Sequence, residues 1–133
     1  MLLQGKNIFL LEDDPINYSV ILTILRQHGA ITTHDYWGDT TLSRLNNHPF
    51  PLDLILLDLM LPGQASGYDV FDAIRALPEL EKVPIVAVSA ADPDVEMPKA
   101  KAKGFSGYIT KPINRRYFPE QLAQILEGET YWG

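Results

Sequence analysis

Cysteine is absent from this chain of 133 residues. Disulfide bridges, thiolate metal sites and cysteine nucleophiles are therefore excluded, and any chemistry must come from oxygen and nitrogen groups. Long apolar runs are missing too, and the amino terminus lacks a charged segment followed by a long apolar one. We therefore expect a cytoplasmic protein that does not contact a membrane.

Positive charge is also scarce. The chain carries 11 Lys and Arg residues against 17 Asp and Glu residues, which leaves a net charge of −6. Such a surface repels polyphosphate chains, so direct binding of nucleic acid is not expected. Its partners are expected to be proteins.

The length suits a single domain with one hydrophobic core. Apolar residues make up 46% of the chain and charged residues 21%, which is ordinary for a globular protein. We expect one domain over residues 1–133, with its core at about 6–127.

Short apolar runs alternate with amphipathic stretches, a pattern typical of strand–helix units around a parallel sheet. The fold class is therefore α/β. Strands are predicted at 6–11, 31–35, 52–57, 84–88 and 106–109. The third and fourth are apolar at successive positions, as expected for central strands that are covered on both faces. Helices are predicted at 15–28, 38–46, 68–77, 94–103 and 114–127.

Proline marks three of the predicted helices. Asp14-Pro15 supplies a cap and a first-turn proline for the first helix, and Gly29 follows its end. Pro98 interrupts the fourth helix and Pro119 falls early in the fifth. These two helices are expected to begin late, to kink or to open with an irregular turn.

Charged and hydroxyl side chains fall where the predicted strands end: Glu12, Asp13, Asp58, Ser89 and Lys111. In an open parallel sheet these ends form the crevice in which ligands bind. Asp13 and Asp58, with a backbone carbonyl just after Asp58, could hold Mg²⁺. Asp58 could accept a phosphoryl group. Lys111 and Ser89 could pair with the phosphoryl oxygens.

Each residue also has an ordinary structural interpretation. Asp58 could be a turn or cap residue, and Glu12-Asp13-Asp14 could complement a helix dipole. Lys111-Pro112 could mark a loop, and Ser89 could start a helix. The joint pattern favours function, because unrelated accidents would have to fall at four strand ends of one fold.

Four stretches contain these residues: IFLLEDD at 8–14, LILLDLMLPG at 54–63, PIVAVSA at 84–90 and GYITKP at 107–112. At these stretches the chain resembles the receiver domain of two-component response regulators, the CheY-like family, and the resemblance covers essentially its whole length. The resemblance implies a flavodoxin-like, doubly wound, five-stranded parallel sheet with strand order 2-1-3-4-5.

The resemblance also implies a role for each site residue. Asp58 is the phosphoacceptor, Lys111 contacts the phosphate, Ser89 is the switch hydroxyl, and Tyr108 matches the aromatic residue that changes rotamer on activation. The implied metal ligands are Asp13, Asp58, the backbone carbonyl of Met60 and, through water, Glu12. The implied cofactor is Mg²⁺, with Mn²⁺ as an alternative ion.

The implied function is that of a signalling domain and not an enzyme. A histidine kinase or histidine phosphotransfer protein would donate the phosphoryl group to Asp58. Ser89 and Lys111 would move toward it, and Tyr108 would turn inward. The surface of the fourth helix, fifth strand and fifth helix would then change for a downstream protein target. A monomer or a phosphorylation-dependent dimer is expected.

Departures from the family pattern are local. The loop between Gly63 and Gly67, with Gln64-Ala65-Ser66, is one residue longer than usual. In this family, two positions tune the phosphoryl lifetime: the one two residues after the phosphoacceptor and the one two residues after the switch hydroxyl. Here these positions hold Met60 and Ala91. Neither side chain can orient an attacking water, so slow self-dephosphorylation is expected.

Three rival functions remain open. An aspartyl-phosphate phosphatase typically needs a second Asp two residues after the first, where this chain has Met60. A phosphorylation-silent scaffold would be expected to lose some of the site residues. A nucleotide-binding flavodoxin-like protein would need a glycine-rich loop after the first strand.

Other polar and aromatic residues are interpreted as structural. His28, His34 and His48 are expected to lie away from the crevice, on the surface or in loops. Tyr131 and Trp132 are interpreted as ordinary packing or a terminal remnant, with partner contact as the alternative.

Overall fold

A computed structural model of the chain describes residues 1–61 and 66–133. Its centre is one sheet of six strands in the order β2-β1-β3-β4-β5-β6, and all the pairings are parallel. The strands are β1 (Asn7–Leu11), β2 (Ile31–Asp35), β3 (Leu54–Asp58), β4 (Ile85–Ser89), β5 (Gly107–Thr110) and β6 (Tyr131–Trp132). The predicted order 2-1-3-4-5 is confirmed.

The prediction of five strands is incomplete, because β6 adds a sixth at the edge beside β5. With only two residues, Tyr131 and Trp132, it is too short to show an alternating apolar pattern. Its pairing with β5 places Gly107 opposite Tyr131 and Tyr108 opposite Trp132.

The helices lie on both faces of the sheet. They are α1 (Pro15–Gln27), α2 (Thr41–Asn46), α3 (Gly67–Arg75), α4 (Pro93–Lys103) and α5 (Phe118–Leu126), with a short 3-10 turn at Pro78–Leu80. The core on one face contains side chains of α2, α3 and α4, and the core on the other contains side chains of α1 and α5. This is the doubly wound arrangement that the sequence predicts.

The two central strands are buried at every position. All residues of β3 and β4 are buried, as the continuous apolar runs predict. Large side chains such as Phe9 on β1 and Phe118 on α5 are completely buried on opposite faces. Apolar packing on both faces of the sheet therefore fixes the positions of the strand ends that carry the polar residues.

Helix α1 forms as its local signals predict. The Asp14 carboxylate accepts a hydrogen bond from the backbone N–H of Ile16 at 3.0 Å, and Pro15 lies in the first turn. Gly29 follows the helix with a φ of 90°, a left-handed conformation that glycine adopts without strain.

The two internal prolines have different outcomes. Helix α5 begins late, at Phe118, with Pro119 in its first turn, as predicted. Helix α4 does not begin late, because Asp92 caps it and Pro93 opens it, which leaves Pro98 inside the helix. The cap and the first-turn proline both favour a start before Pro98, although Pro98 cannot donate a backbone hydrogen bond to Asp94.

Within the described ranges, none of the helices is both long and apolar enough to cross a bilayer.

Candidate functional site

Four neighbouring strands bring the predicted site residues to one edge of the sheet. Asp58 is the last residue of β3 and Ser89 the last of β4, while Glu12 follows β1 and Lys111 follows β5. The sheet pairs β1 with β3, β3 with β4, and β4 with β5. The parallel direction of these strands therefore creates a shared crevice.

Three carboxylates converge in this crevice. Glu12, Asp13 and Asp58 can each offer one oxygen, and these oxygens lie within 4.8 Å of one another. Glu12 and Asp58 are buried, whereas Asp13 is exposed at the mouth. Hard carboxylate oxygens at one partly open site fit a divalent cation such as Mg²⁺, which keeps several water ligands.

Lys111 balances part of this negative charge. Its ammonium group donates a hydrogen bond to the Glu12 carboxylate, and its Nζ lies 3.2 Å from Oδ2 of Asp58. The Lys111 side chain is only 10% exposed, so both ion pairs are largely shielded from water. The lysine therefore holds a positive charge beside Asp58, where a negatively charged substrate would arrive.

The burial of the cluster changes its acid–base properties. The pKa of Glu12 is raised from 4.5 to about 7, first by burial and then by the neighbouring Asp58 carboxyl, while Lys111 opposes the rise. For Lys111, burial works against the charged form, but the hydrogen bond to Glu12 and the charge of Asp58 outweigh it and raise the pKa. Glu12 therefore titrates near neutral pH.

We expect the carboxyl group of Glu12 in the metal-free protein to take up a proton as the pH falls through about 7. In an Asp58→Asn variant the like charge is gone, so this pKa should fall. A ¹³C NMR titration of the Glu12 side chain measures both values, with Asp39→Asn, at an exposed loop position, as the control. A midpoint near the ordinary value of 4.5 in the unaltered protein would contradict the expectation.

Asp58 is oriented by the backbone that follows it. The N–H of Met60 donates a hydrogen bond to Oδ1 of Asp58 at 2.9 Å, which leaves Oδ2 facing Lys111. The Met60 side chain is 65% exposed, so it lies on the surface beside the crevice. The predicted long loop after it includes Gln64 and Ala65, which lie outside the described residues.

Ser89 is completely buried at the end of β4. Its hydroxyl oxygen accepts a hydrogen bond from the N–H of Ala91 at 3.1 Å, and its carbonyl accepts one from the N–H of Lys111 at 2.8 Å. The helix that follows is capped by Asp92 instead, so the interpretation of Ser89 as the helix-start residue is wrong.

Tyr108 is already buried in this structure. Its ring is fully inaccessible, and its hydroxyl lies 3.4 Å from the carbonyl oxygen of Ala91 in the loop after Ser89. Burial raises the pKa of the Tyr108 hydroxyl. The Tyr108 ring already points inward in this structure, so the expected inward turn has no exposed starting position here. The contact with Ala91 connects Tyr108 to the loop after Ser89.

One residue near the site was assigned wrongly from the sequence. His34 does not lie away from the crevice, because its Nε2 is 2.7 Å from the carbonyl oxygen of Glu12. Its ring packs against Tyr18 in a tilted arrangement, with centroids 4.0 Å apart. His48 does lie elsewhere, between Thr33 and Phe50. The predicted strand order could have located His34 correctly, because it places the end of β2, which carries His34, beside the end of β1.

Comparisons with known proteins agree with this geometry. The family model described as response regulator receiver domain matches residues 8–123. The sensor protein GacS of Pseudomonas syringae pv. syringae is 32% identical over 127 residues, which cover 92% of this chain but only 13% of that protein. The polar-differentiation response regulator DivK of Brucella ovis is 29% identical over 121 residues, or 91% of this chain and 96% of DivK.

Solved structures agree as well. The receiver domain of the sensor histidine kinase PA1611 from Pseudomonas aeruginosa, which has a magnesium ion in its active-site cleft, is 30% identical with a TM-score of 0.78. That comparison covers 94% of this chain and 99% of the other. A CheY-like receiver from Methanospirillum hungatei, at 22% identity, shares the fold with a TM-score of 0.80 and coverages of 94% and 96%.

Proposed function

The chain belongs to the response regulator receiver family, and from this premise we propose that Asp58 accepts a phosphoryl group from a phosphohistidine. The donor would be a histidine kinase or a histidine phosphotransfer protein. The observation that carries the proposal is the position of Asp58, which lies 3.2 Å from the Lys111 ammonium and within 4.8 Å of two other carboxylates. The domain acts in signalling and is not a conventional enzyme.

The chemistry follows from the different surroundings of the two oxygens of the Asp58 carboxylate. One oxygen is held by the Met60 N–H, and the other, Oδ2, faces Lys111 and is placed to attack phosphorus. An O–P bond forms as the N–P bond of phosphohistidine breaks, and the imidazole leaves with the electron pair. Lys111 offsets the charge on the phosphoryl oxygens throughout the transfer.

A divalent cation is the second source of positive charge in this proposal. Asp13, Asp58, the backbone carbonyl of Met60 and, through water, Glu12 would hold Mg²⁺, or Mn²⁺ in its place. When bound, the ion supplies charge neutralisation between the carboxylates and the incoming phosphoryl group. The closeness of the Glu12, Asp13 and Asp58 oxygens supports this assignment.

Labelling by a small phosphodonor tests the proposal. With Mg²⁺ and acetyl phosphate, we expect the protein to gain the mass of one phosphoryl group, and the gain to disappear in Asp58→Asn. Asp39→Asn, which changes an exposed carboxylate outside the group of Glu12, Asp13 and Asp58, should label normally. Peptide mapping that places the group on another residue, or equal labelling of Asp58→Asn, would refute it.

The labelling experiment, together with an assay for release of phosphate from an ester substrate, separates the alternative functions. A phosphorylation-silent scaffold would not label at all, although the retained set of Glu12, Asp13, Asp58, Ser89 and Lys111 does not favour that function. A phosphatase would release phosphate repeatedly from an ester substrate instead of stopping at one phosphoryl group per chain.

The phosphoryl group is expected to persist for minutes or longer. Neither Met60, with its apolar exposed side chain, nor Ala91 can hydrogen-bond and orient a water that attacks phosphorus. Replacing Met60 with Asn should shorten the half-life, because an amide can position that water. The decay of the phosphorylated protein, followed by mass in the presence of Mg²⁺, measures this. A half-life of only seconds in the unaltered protein would contradict the expectation.

The output of phosphorylation is proposed to be the surface formed by α4, β5 and α5. Phosphorylation adds about −1.5 to −2 charges and three acceptor oxygens at Asp58. Ser89 and Lys111 would move toward these oxygens, and the Ser89 loop would carry the change to Tyr108 through Ala91. This surface would then exist in two conformations, and a downstream protein would bind one of them. Phosphorylation-dependent dimerisation is the alternative use of the surface.

A further inference from the structure

Residues 129–133, here called the edge segment, lie along the proposed output surface. The segment pairs with the outer edge of β5, which lies between α4 and α5. The N–H of Gly133 donates to the carbonyl of Tyr108 at 2.9 Å, and the N–H of Thr110 donates to the carbonyl of Gly133 at 3.3 Å. The backbone groups that a binding partner could use on β5 are therefore already engaged.

The side chains of the edge segment reach both neighbouring helices. Tyr131 packs on the α5 side, where its hydroxyl accepts a hydrogen bond from the amide nitrogen of Gln121 at 2.8 Å. Trp132 packs on the opposite face, with the Lys101 ammonium of α4 at 4.9 Å from its ring centroid. The segment therefore contacts all three elements of the output surface.

The edge of β5 leaves room for the backbone of this segment because residue 107 is a glycine. A Cβ atom at Gly107 would lie 2.8 Å from the carbonyl oxygen of Tyr131, closer than real Cβ contacts come. The absence of a side chain at Gly107 is what lets the second backbone approach. The edge of β5 is thus shaped to accept a strand, independently of the contacts made by the two aromatic rings.

Trp132 also lies beside the residue proposed to carry the switch. It is paired with Tyr108 in the parallel ladder, and both side chains belong to the same core. Gly133 holds the backbone carbonyl of Tyr108. A change in the position of Tyr108 would therefore alter the surface against which the edge segment packs.

We propose that the edge of β5 is a strand-binding site for an extended peptide with adjacent aromatic residues, and that the edge segment is its built-in competitor. A partner strand must displace residues 129–133 before it can pair with β5. Such pairing draws affinity from main-chain hydrogen bonds and specificity from side chains on the two faces. The regulatory meaning of this competition rests on the proposed function, since that function assigns the output to this surface.

The test uses the peptide Gly-Glu-Thr-Tyr-Trp-Gly, the sequence of residues 128–133, added to the isotope-labelled full chain and followed by NMR. In this proposal the edge segment occupies the site in most molecules of the unaltered protein, which weakens the apparent affinity of an added peptide in proportion to the open fraction. In the full chain with Tyr131→Ala and Trp132→Ala, the peptide should bind on the order of tenfold more tightly. Its shifts should centre on residues 107–110.

Gly107→Ala tests the geometry of the site. Added to the Tyr131→Ala and Trp132→Ala chain, it should abolish peptide binding, because the new methyl group meets a backbone carbonyl. Gly38→Ala, whose added methyl meets Tyr36 at an ordinary 3.6 Å, is the matched control and should leave binding unchanged.

Three results would overturn the proposal: equal affinity of the unaltered and doubly substituted chains, binding that survives Gly107→Ala, or no binding to either chain. No phosphoryl group enters these measurements. A failure of Asp58 labelling would therefore refute the proposed function and leave the strand-binding result standing, and the reverse also holds.

Discussion

Replacing Lys111 with alanine is expected to slow phosphorylation of Asp58 by about 100- to 1,000-fold, the usual effect of removing one preorganised charge-stabilising group. The lysine is the positive side chain that contacts both buried carboxylates, at 3.2 Å from Asp58 and in a hydrogen bond with Glu12. Without it, the carboxylates repel each other and the phosphoryl oxygens lose their partner. The rate of mass gain with acetyl phosphate and Mg²⁺ measures the effect.

Lys103→Ala is the matched control for this variant. Lys103 forms a comparable ion pair with Asp72, but on the surface, where the loss of such a pair changes little. Circular dichroism should establish that both variants are folded before their rates are compared. A Lys111→Ala protein that labels within a few-fold of the unaltered rate would remove the lysine from the proposed chemistry.

Replacing Gly67 with alanine is expected to destabilise the protein by about 3 kcal/mol, at the upper end of the usual cost of overpacking. A Cβ atom at this position would lie 2.6 Å from the Cα of Leu59 and 2.7 Å from its Cδ2. Because Leu59 directly follows Asp58 and its carbonyl accepts the Gly67 N–H at 3.1 Å, the backbone has little freedom to move away. Urea unfolding measures the free energy of unfolding.

The comparison variant is Gly38→Ala, where the added methyl makes only an ordinary contact at 3.6 Å. It should change the free energy of unfolding by no more than about 0.5 kcal/mol. Equal stabilities of the Gly67→Ala and Gly38→Ala proteins would mean that the start of α3 can shift without cost. In that case the position of the chain after Asp58 would not depend on Gly67.

Much of the fold could be predicted because its signals are local. The apolar runs that become β3 and β4 are visible as runs, since both faces of these strands are buried. The cap at Asp14 and the proline at Pro15 act within one helical turn, so α1 was predicted almost to the residue. The strand order required the family resemblance, because pairing between distant strands leaves no local signal.

Two of the misses share a physical cause, which is dependence on partners distant in sequence. A strand of two residues such as β6 is too short to be recognised from its own sequence, and it is held in place by β5 and by contacts to Gln121 and Lys101. His34 lies near the site because β2 pairs with β1, which brings it to the carbonyl of Glu12. The start of α4 before Pro98 has a different cause, a local one: the cap at Asp92 and the proline at Pro93 outweigh one lost hydrogen bond.

By itself, the sequence determined which chemical groups stand at the ends of the strands, because apolar runs and their polar endings are properties of neighbouring residues. It thereby placed Asp58 and Lys111 in one crevice once the sheet was assumed to be parallel. Only the tertiary structure decided that Lys111 joins Glu12, 99 positions away, to Asp58, and that burial moves the pKa of Glu12 to about 7. It also decided that residues of β6 cover the edge of β5. Distances and loss of water are set when separate segments pack together, and no single stretch of the chain encodes them.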